Sequence, residues 1–383
     1  MLAITNGKIL TMEGNNIEKG TILIEDGKIK ELGEKVEVPE NAEIVDAEGK
    51  IVMPGLIDAH THLGVSEEGV GWEGRDYNEI TDPVTPHLRA IDGINPEEEG
   101  IKDARTGGVT TVMTGPGSAN VIGGESAVIK TKGNTVDQML LKAPAGLKAA
   151  FGENPKRVYS DQSKTPSTRM AVAAVMRQTL IEAEDYLAEK ENAEKEDNPF
   201  NRDLKKETVA RVITGDIPLK AHAHRADDIM TILRIAREFD LDLTLEHCTE
   251  GHKIAEEIAE AGVGAIVGPN LTTRGKVELK DRTFKTPAVL AEAGVKVAIM
   301  SDHPVIPIDN LPLYASLAVK AGLDRDEALK AITINPAELL KIDDQVGSLK
   351  EGKDADLVIF SGDPLAVDST VEKVFIDGEE ITE

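Results

Sequence analysis

Ile51-Val-Met-Pro-Gly-Leu-Ile-Asp-Ala-His-Thr-His-Leu63 opens with an apolar, β-branched run and breaks at Pro54-Gly55. It resumes as a second apolar run that ends in His60-Thr61-His62. Side chains alternate faces along a strand, so histidines at i and i+2 project from one face. Neutral imidazole is the commonest nitrogen ligand for zinc and related divalent ions. A lone His-x-His pair is ordinary on protein surfaces. At the end of an apolar strand, directly after Pro-Gly, it reads as half of a metal site.

Downstream of this stretch, short apolar strands alternate with helical patterns, the signature of a parallel α/β sheet or barrel. Eight strands are predicted: 56–60, 110–114, 127–130, 147–151, 218–223, 242–247, 265–268 and 296–301. Helical periodicity falls between most of them, at 96–106, 227–239, 252–261 and 287–293. The expected fold is an α/β (β/α)8 TIM barrel over residues 55–344, with a helical insertion near 155–215. In that insertion Val172, Met176, Leu180, Ala183 and Leu187 follow at helical spacing. The charged run 189–197 reads as a solvated face.

Both ends of the chain read as β structure. Residues 1–54 hold short strands punctuated by Asn6-Gly7, Asp26-Gly27 and Glu48-Gly49, and Asp-Gly between apolar runs predicts a hairpin. Strands and turns return after residue 345. Segments 1–54 and 345–383 are therefore expected to build one discontinuous small domain, a β-sandwich.

Composition narrows the function. The chain has 383 residues and a formal net charge of −26, which argues against nucleic acid or an anionic membrane as partner. The single cysteine, Cys248, excludes an intrachain disulfide and fits a reducing compartment. There is no leader pattern, and no run approaches the roughly 18 apolar residues of a membrane span. The expectation is a cytoplasmic protein acting on a small molecule, with homo-oligomerisation open.

In a (β/α)8 barrel, ligand-binding groups sit at the C-terminal ends of the strands. The first strand ends in His60 and His62, the fifth in His222-Ala-His224, the sixth in Glu246-His247 and the eighth in Ser301-Asp302-His303. Six of the eight histidines thus collect at one end of one sheet. A buried core role accounts for one such histidine, not for six. The fourth strand offers an oxygen ligand in two forms: Glu153 directly, or Lys148 if carbamylated. Glu153 is preferred because it lies at the strand's end. Arg225, Arg274 and Lys276 are candidates for an anionic group, and Arg225 has a competing ion-pair reading with Asp227 or Asp228. His303 is a candidate substrate contact. Cys248 should face away from His247 and be structural.

This set resembles the amidohydrolase superfamily of metal-dependent hydrolases, in particular its imidazolonepropionase-like branch. The resemblance rests on Val52–His62, on the histidines and Asp302, and on Asn335-Pro-Ala-Glu338 with Val346–Leu357. It covers essentially the whole chain. It implies that His60, His62 and Asp302 bind one ion, that His222 and His247 bind a second, and that Glu153 or modified Lys148 bridges them. His224 is left as a substrate contact or an alternative to His222. The implied cofactor is one or two divalent ions, zinc first, with manganese, iron or nickel compatible with the same donors. Asp302 and His224 are the candidate catalytic groups. The expected activity is hydrolysis of an amide or cyclic amide C–N bond by metal-activated water. Two rivals are a mononuclear deaminase of an aminated heterocycle and a non-catalytic relative; the filled ligand positions count against the latter.

Overall fold

The structure is a computed structural model and describes residues 1–382. Its sixteen strands are β1 (Leu2–Ile9), β2 (Ile17–Glu25), β3 (Lys28–Gly33), β4 (Glu43–Asp46), β5 (Ile51–Pro54), β6 (Leu56–Thr61), β7 (Val109–Thr114) and β8 (Ile122–Lys130), followed by β9 (Leu140–Ala150), β10 (Leu219–Ala223), β11 (Leu243–His247), β12 (Gly264–Val267), β13 (Val297–Ile299), β14 (Leu357–Phe360), β15 (Val371–Ile376) and β16 (Glu379–Glu380). They divide into two sheets of eight.

Strands β6 to β13 form the barrel sheet in sequence order. The pairs β6–β7, β9–β10, β10–β11, β11–β12 and β12–β13 are parallel, but β8 runs antiparallel to both β7 and β9. The expected third βα unit is therefore a meander. The reason is chain length: only residues 115–121 separate β7 from β8, and a parallel crossover needs about ten to twelve residues or more.

The sheet nearly closes, and its seam is made by side chains and loops where no β6–β13 ladder forms. Asp58 Oδ2 accepts from the Ser301 backbone N–H at 2.9 Å and from its hydroxyl at 2.5 Å, while Oδ1 accepts from His60 N–H at 3.1 Å. Ile57 N–H donates to Ile332 O and Ile299 N–H to Ala331 O, both at 2.9 Å, so residues 331–332 wedge the gap. Full burial pushes the Asp58 carboxyl up to about 6.

Leu219, Ala221 and Ala223 of β10 and Leu243 and Leu245 of β11 pack in one buried cluster with Ile229, Ile232 and Leu233 of the helix Ala226–Phe239. Each fully buried Leu or Ile of this kind contributes ~1.5–3 kcal/mol. Strand alternation then turns Lys220, His222 and His224 to the opposite face. Between β9 and β10 the chain runs through three helices, Glu153–Asp161, Arg169–Glu196 and Leu204–Ile213. Thr168 caps the long one by accepting from Ala171 N–H, and Val172, Met176, Leu180 and Ala183 form its buried stripe. Its acidic last turns are largely exposed.

The second sheet joins both ends of the chain, in the order β16-β15-β14-β5-β1-β2-β3 with β4 on β1. Its hydrogen bonding links all eight strands in a single mixed sheet. Asp26 and Gly27 both take positive φ, 51° and 77°, as the predicted β2–β3 hairpin turn requires. Lys130 of β8 ties the two sheets together. Its ammonium lies 2.8 Å from Asp354, 3.1 Å from Asp356 and 2.5 Å from Asp377.

Candidate metal centre

Four strand ends bring their polar residues to one mouth. Asp302 Oδ1 lies 3.3 Å from His60 Nε2 and 3.4 Å from His62 Nε2. His247 packs edge-on to His60, with ring centroids 5.0 Å apart, and to His222 at 4.2 Å. His224 stands 4.7 Å from both His222 and His247. Nitrogen and oxygen atoms converge in two groups that share His247: His60, His247 and Asp302, and His222, His224 and His247. All six side chains are buried.

Backbone strain helps aim them. His247, Cys248 and Asp302 take positive φ of 69°, 50° and 56°. Such conformations cost about 1–3 kcal/mol each in residues other than glycine and persist where the surroundings enforce them. In β11, Glu246 and His247 are adjacent yet both reach the centre, which plain alternation forbids; the left-handed turn at His247 supplies the difference. Cys248 is fully buried in the strand–helix layer, and burial pushes its thiol up to about 12, so it is structural as expected.

Four of the five rings are held from behind. His60 Nδ1 donates to Glu246 Oε2, His62 Nδ1 to Gly115 O at 2.8 Å, and His247 Nδ1 to Gly268 O at 2.9 Å. These bonds leave Nε2 of all three facing the centre, the arrangement that orients ligand histidines. His224 Nδ1 pairs with Thr249 Oγ1 at 2.7 Å, and its Nε2 is 3.6 Å from Glu278 Oε1. His222 differs: its Nδ1 is buried with no hydrogen-bond partner. A buried nitrogen without a partner costs about 1–3 kcal/mol, and a cation would relieve it. Burial pushes His222 and His247 well below the ordinary imidazole value and His224 to about 3, so these rings are neutral and carry free lone pairs. The donor set fits borderline divalent ions.

Lys148 joins the centre, whereas Glu153 does not. The Lys148 amine, fully buried near the C-terminal end of β9, is 3.4 Å from His60 Nε2, and burial lowers its basicity. Glu153 opens the helix after β9, where its N–H donates to Glu278 Oε2 at 3.0 Å. On this geometry Lys148, not Glu153, lies against His60. Arg225 is also outside: its guanidinium makes a two-pronged pair with Asp227 at 2.8 and 2.9 Å. Arg274 braces its own loop through Lys280 O and Arg282 O. His303 is buried beside Asp302, but neither ring nitrogen has a partner.

Four residues without an assigned role surround the cluster. Glu246 backs His60 and accepts from Thr244 Oγ1 at 2.8 Å. Lys220 is fully buried on the Lys148 register of β10, and desolvation lowers it to about 8. Tyr77 lies over His62 with centroids 5.2 Å apart. Asn154 reaches His222 Nε2 at 3.5 Å and accepts from Lys276 Nζ at 3.0 Å. A charged residue between apolar neighbours in a strand signals Lys148 and Lys220 in the sequence; Tyr77 and Asn154, in loop and helix, carry no such signal. A cavity of about 1180 Å3 lies elsewhere, lined by Lys285, Glu292, Lys330 and Glu338, and contains none of these histidines.

The profile of the amidohydrolase family matches residues 51–381. An amidohydrolase of known structure from Thermotoga maritima is 47% identical, with a TM-score of 0.97 and complete coverage of both chains. The amidohydrolase tasK of Hapsidospora irregularis is 31% identical over 94% of this chain, which spans only 39% of that relative's length. An imidazolonepropionase of Thermoplasma volcanium is 28% identical over 98% of this chain and 97% of its own.

Proposed function

Since the chain belongs to the amidohydrolase family and is a hydrolase acting on C–N bonds, we propose that it opens an amide or cyclic amide of a small molecule at a two-metal centre. His60, His62 and Asp302 would hold one ion and His222 and His247 the other. Lys148 would bridge them as its carbamate: the neutral amine adds to CO2, an N–C bond forms and one proton is lost, leaving a carboxylate. The buried, partnerless His222 Nδ1 favours His222 over His224 as the strand-five ligand. Bound divalent ions supply Lewis acidity and lower the pKa of water from about 15.7 to about 7. Asp302 takes the proton from the attacking water and returns it to the departing nitrogen. His224, steadied by Thr249, faces the same cavity and contacts the substrate oxygen that gathers charge. Buried surroundings strengthen these polar interactions by excluding water.

The observation that carries this reading is the convergence of His60, His62, His222, His247 and Asp302 on one mouth with the Lys148 amine beneath them. Metal content per chain and a 13C carbamate signal after growth in labelled bicarbonate test it. Wild type should hold two equivalents and show the signal. Lys148→Ala should lose the signal, at least one equivalent and turnover of lactams and N-acyl compounds. One equivalent and no carbamate in active wild type would instead favour a mononuclear deaminase. Full activity in Lys148→Ala would overturn the bridge.

A further inference from the structure

Beside this centre stands a second group of donors that it does not use. His303 follows Asp302 in sequence, is 1% exposed, and has neither Nδ1 nor Nε2 hydrogen-bonded. Glu98, at the N-cap of the helix Glu99–Thr106, is 4% exposed, and its Oε2 likewise has no partner. The Glu68 carboxylate closes the group from the solvent side, with Oε2 4.0 Å from His303 Nε2. One donor atom from each of the three lies within 4.8 Å of the others. Gly100 leaves the space between them open. A Cβ there would stand 2.4 Å from His303 Nε2 and 2.8 Å from Glu98 Oε2.

We propose that Glu68, Glu98 and His303 hold a further divalent cation, separate from the hydrolytic centre. One buried carboxylate oxygen of Glu98 and both imidazole nitrogens of His303 lack partners, and the exposed Glu68 carboxylate completes a donor set that lacks positive charge. Burying a carboxylate without a counter-charge is costly, and coordination is one of the few ways to offset it. One nitrogen and two oxygen donors suit manganese, iron(II) or zinc better than calcium or magnesium, which prefer oxygen alone. The site is open to solvent through Glu68, so an ion can enter without passing the catalytic mouth. Once bound, it joins the loop carrying Glu68 and the helix capped by Glu98 to the segment that carries Asp302.

The test is position-resolved. Crystals of the metal-loaded protein are soaked in millimolar Mn2+, and anomalous scattering is collected at the manganese edge. A peak among Glu68, Glu98 and His303 is expected in wild type. It should vanish in Glu98→Gln while scattering at the histidine cluster stays. Because Glu98 is buried, Glu68→Gln, an exposed substitution, serves as the second variant. It should weaken the additional class of Mn2+ sites, read by electron paramagnetic resonance, by about tenfold or more. No peak at that place in wild type, or identical Mn2+ isotherms in wild type and both variants, would overturn the proposal. Neither outcome depends on how many ions the hydrolytic centre holds.

Discussion

Glu246→Gln isolates the contribution of one buried charge to metal binding. Glu246 is fully buried, takes the Nδ1 proton of His60 and accepts from Thr244. Burial works to raise its carboxyl, yet the attraction and hydrogen bond of His60 outweigh that, and it lies below the usual carboxylate range. An ionised Glu246 therefore fixes the His60 ring with Nδ1 toward Glu246 and Nε2 toward Asp302. Glutamine keeps the volume and one acceptor but removes the charge that makes the ring a strong donor. Loss of such a partner behind a ligand histidine typically costs 10–100-fold in metal affinity, or about 1.4–2.7 kcal/mol. The assay is competition for Zn2+ between metal-free protein and a fluorescent chelator, with circular dichroism as the control for folding. At limiting metal, turnover should fall with occupancy; at saturating metal, much of it should return. A folded variant with wild-type Zn2+ affinity would refute the role given to Glu246, and with it the assignment of His60 as a ligand.

Two further outcomes concern the scaffold. Lys130→Met leaves Asp356 and Asp377 without their cation and Asp354 with Lys28 alone, and should cost about 3–5 kcal/mol in urea unfolding at pH 8. Asp356, which burial pushes up to about 6 from 3.8, binds its proton more readily folded than unfolded, so the loss should shrink as pH falls through that window; an equal loss at pH 8 and 5 would contradict this. Glu13 behaves in the opposite sense: its hydrogen bond to Lys350 chiefly lowers its carboxyl from 4.5 to about 2. Its contribution is complete above 4.5 and is lost as pH falls toward 2, so wild type and Glu13→Gln should converge in stability over that range, and a constant gap would argue against it.

The residues legible in the sequence were those that break a pattern at a strand's end. His60, His62, His222 and His247 each follow an apolar run, and an imidazole placed there has little structural purpose, so their convergence could be inferred before any coordinates. The antiparallel β8 was hidden by a different choice. Counting it as residues 127–130 left room for a crossover from β7, whereas the real strand starts at Ile122 and removes that room. The missing helical pattern between residues 115 and 126 was the available signal, and it carried more weight than the regular spacing of apolar runs.

Lys148 stood near the start of a strand read as 147–151, whereas β9 runs from Leu140 to Ala150 and carries Lys148 near its C-terminal end; its position around the strand points the same way. Leu147, Ala149 and Phe151 pack outward into the helical layer, so the side chain between them must turn the other way. A lysine there is either buried at a cost of several kcal/mol or engaged. Its partner cannot be read locally, since His60 and Glu246 lie far off in sequence and meet it only when the barrel closes. The same reasoning singles out Lys220, which shares its register and alternates with His222 and His224. Face, more than strand end, separates the residues of this centre from their neighbours. Glu153 fails that test: it lies past the last residue of β9 and has already turned into the next helix.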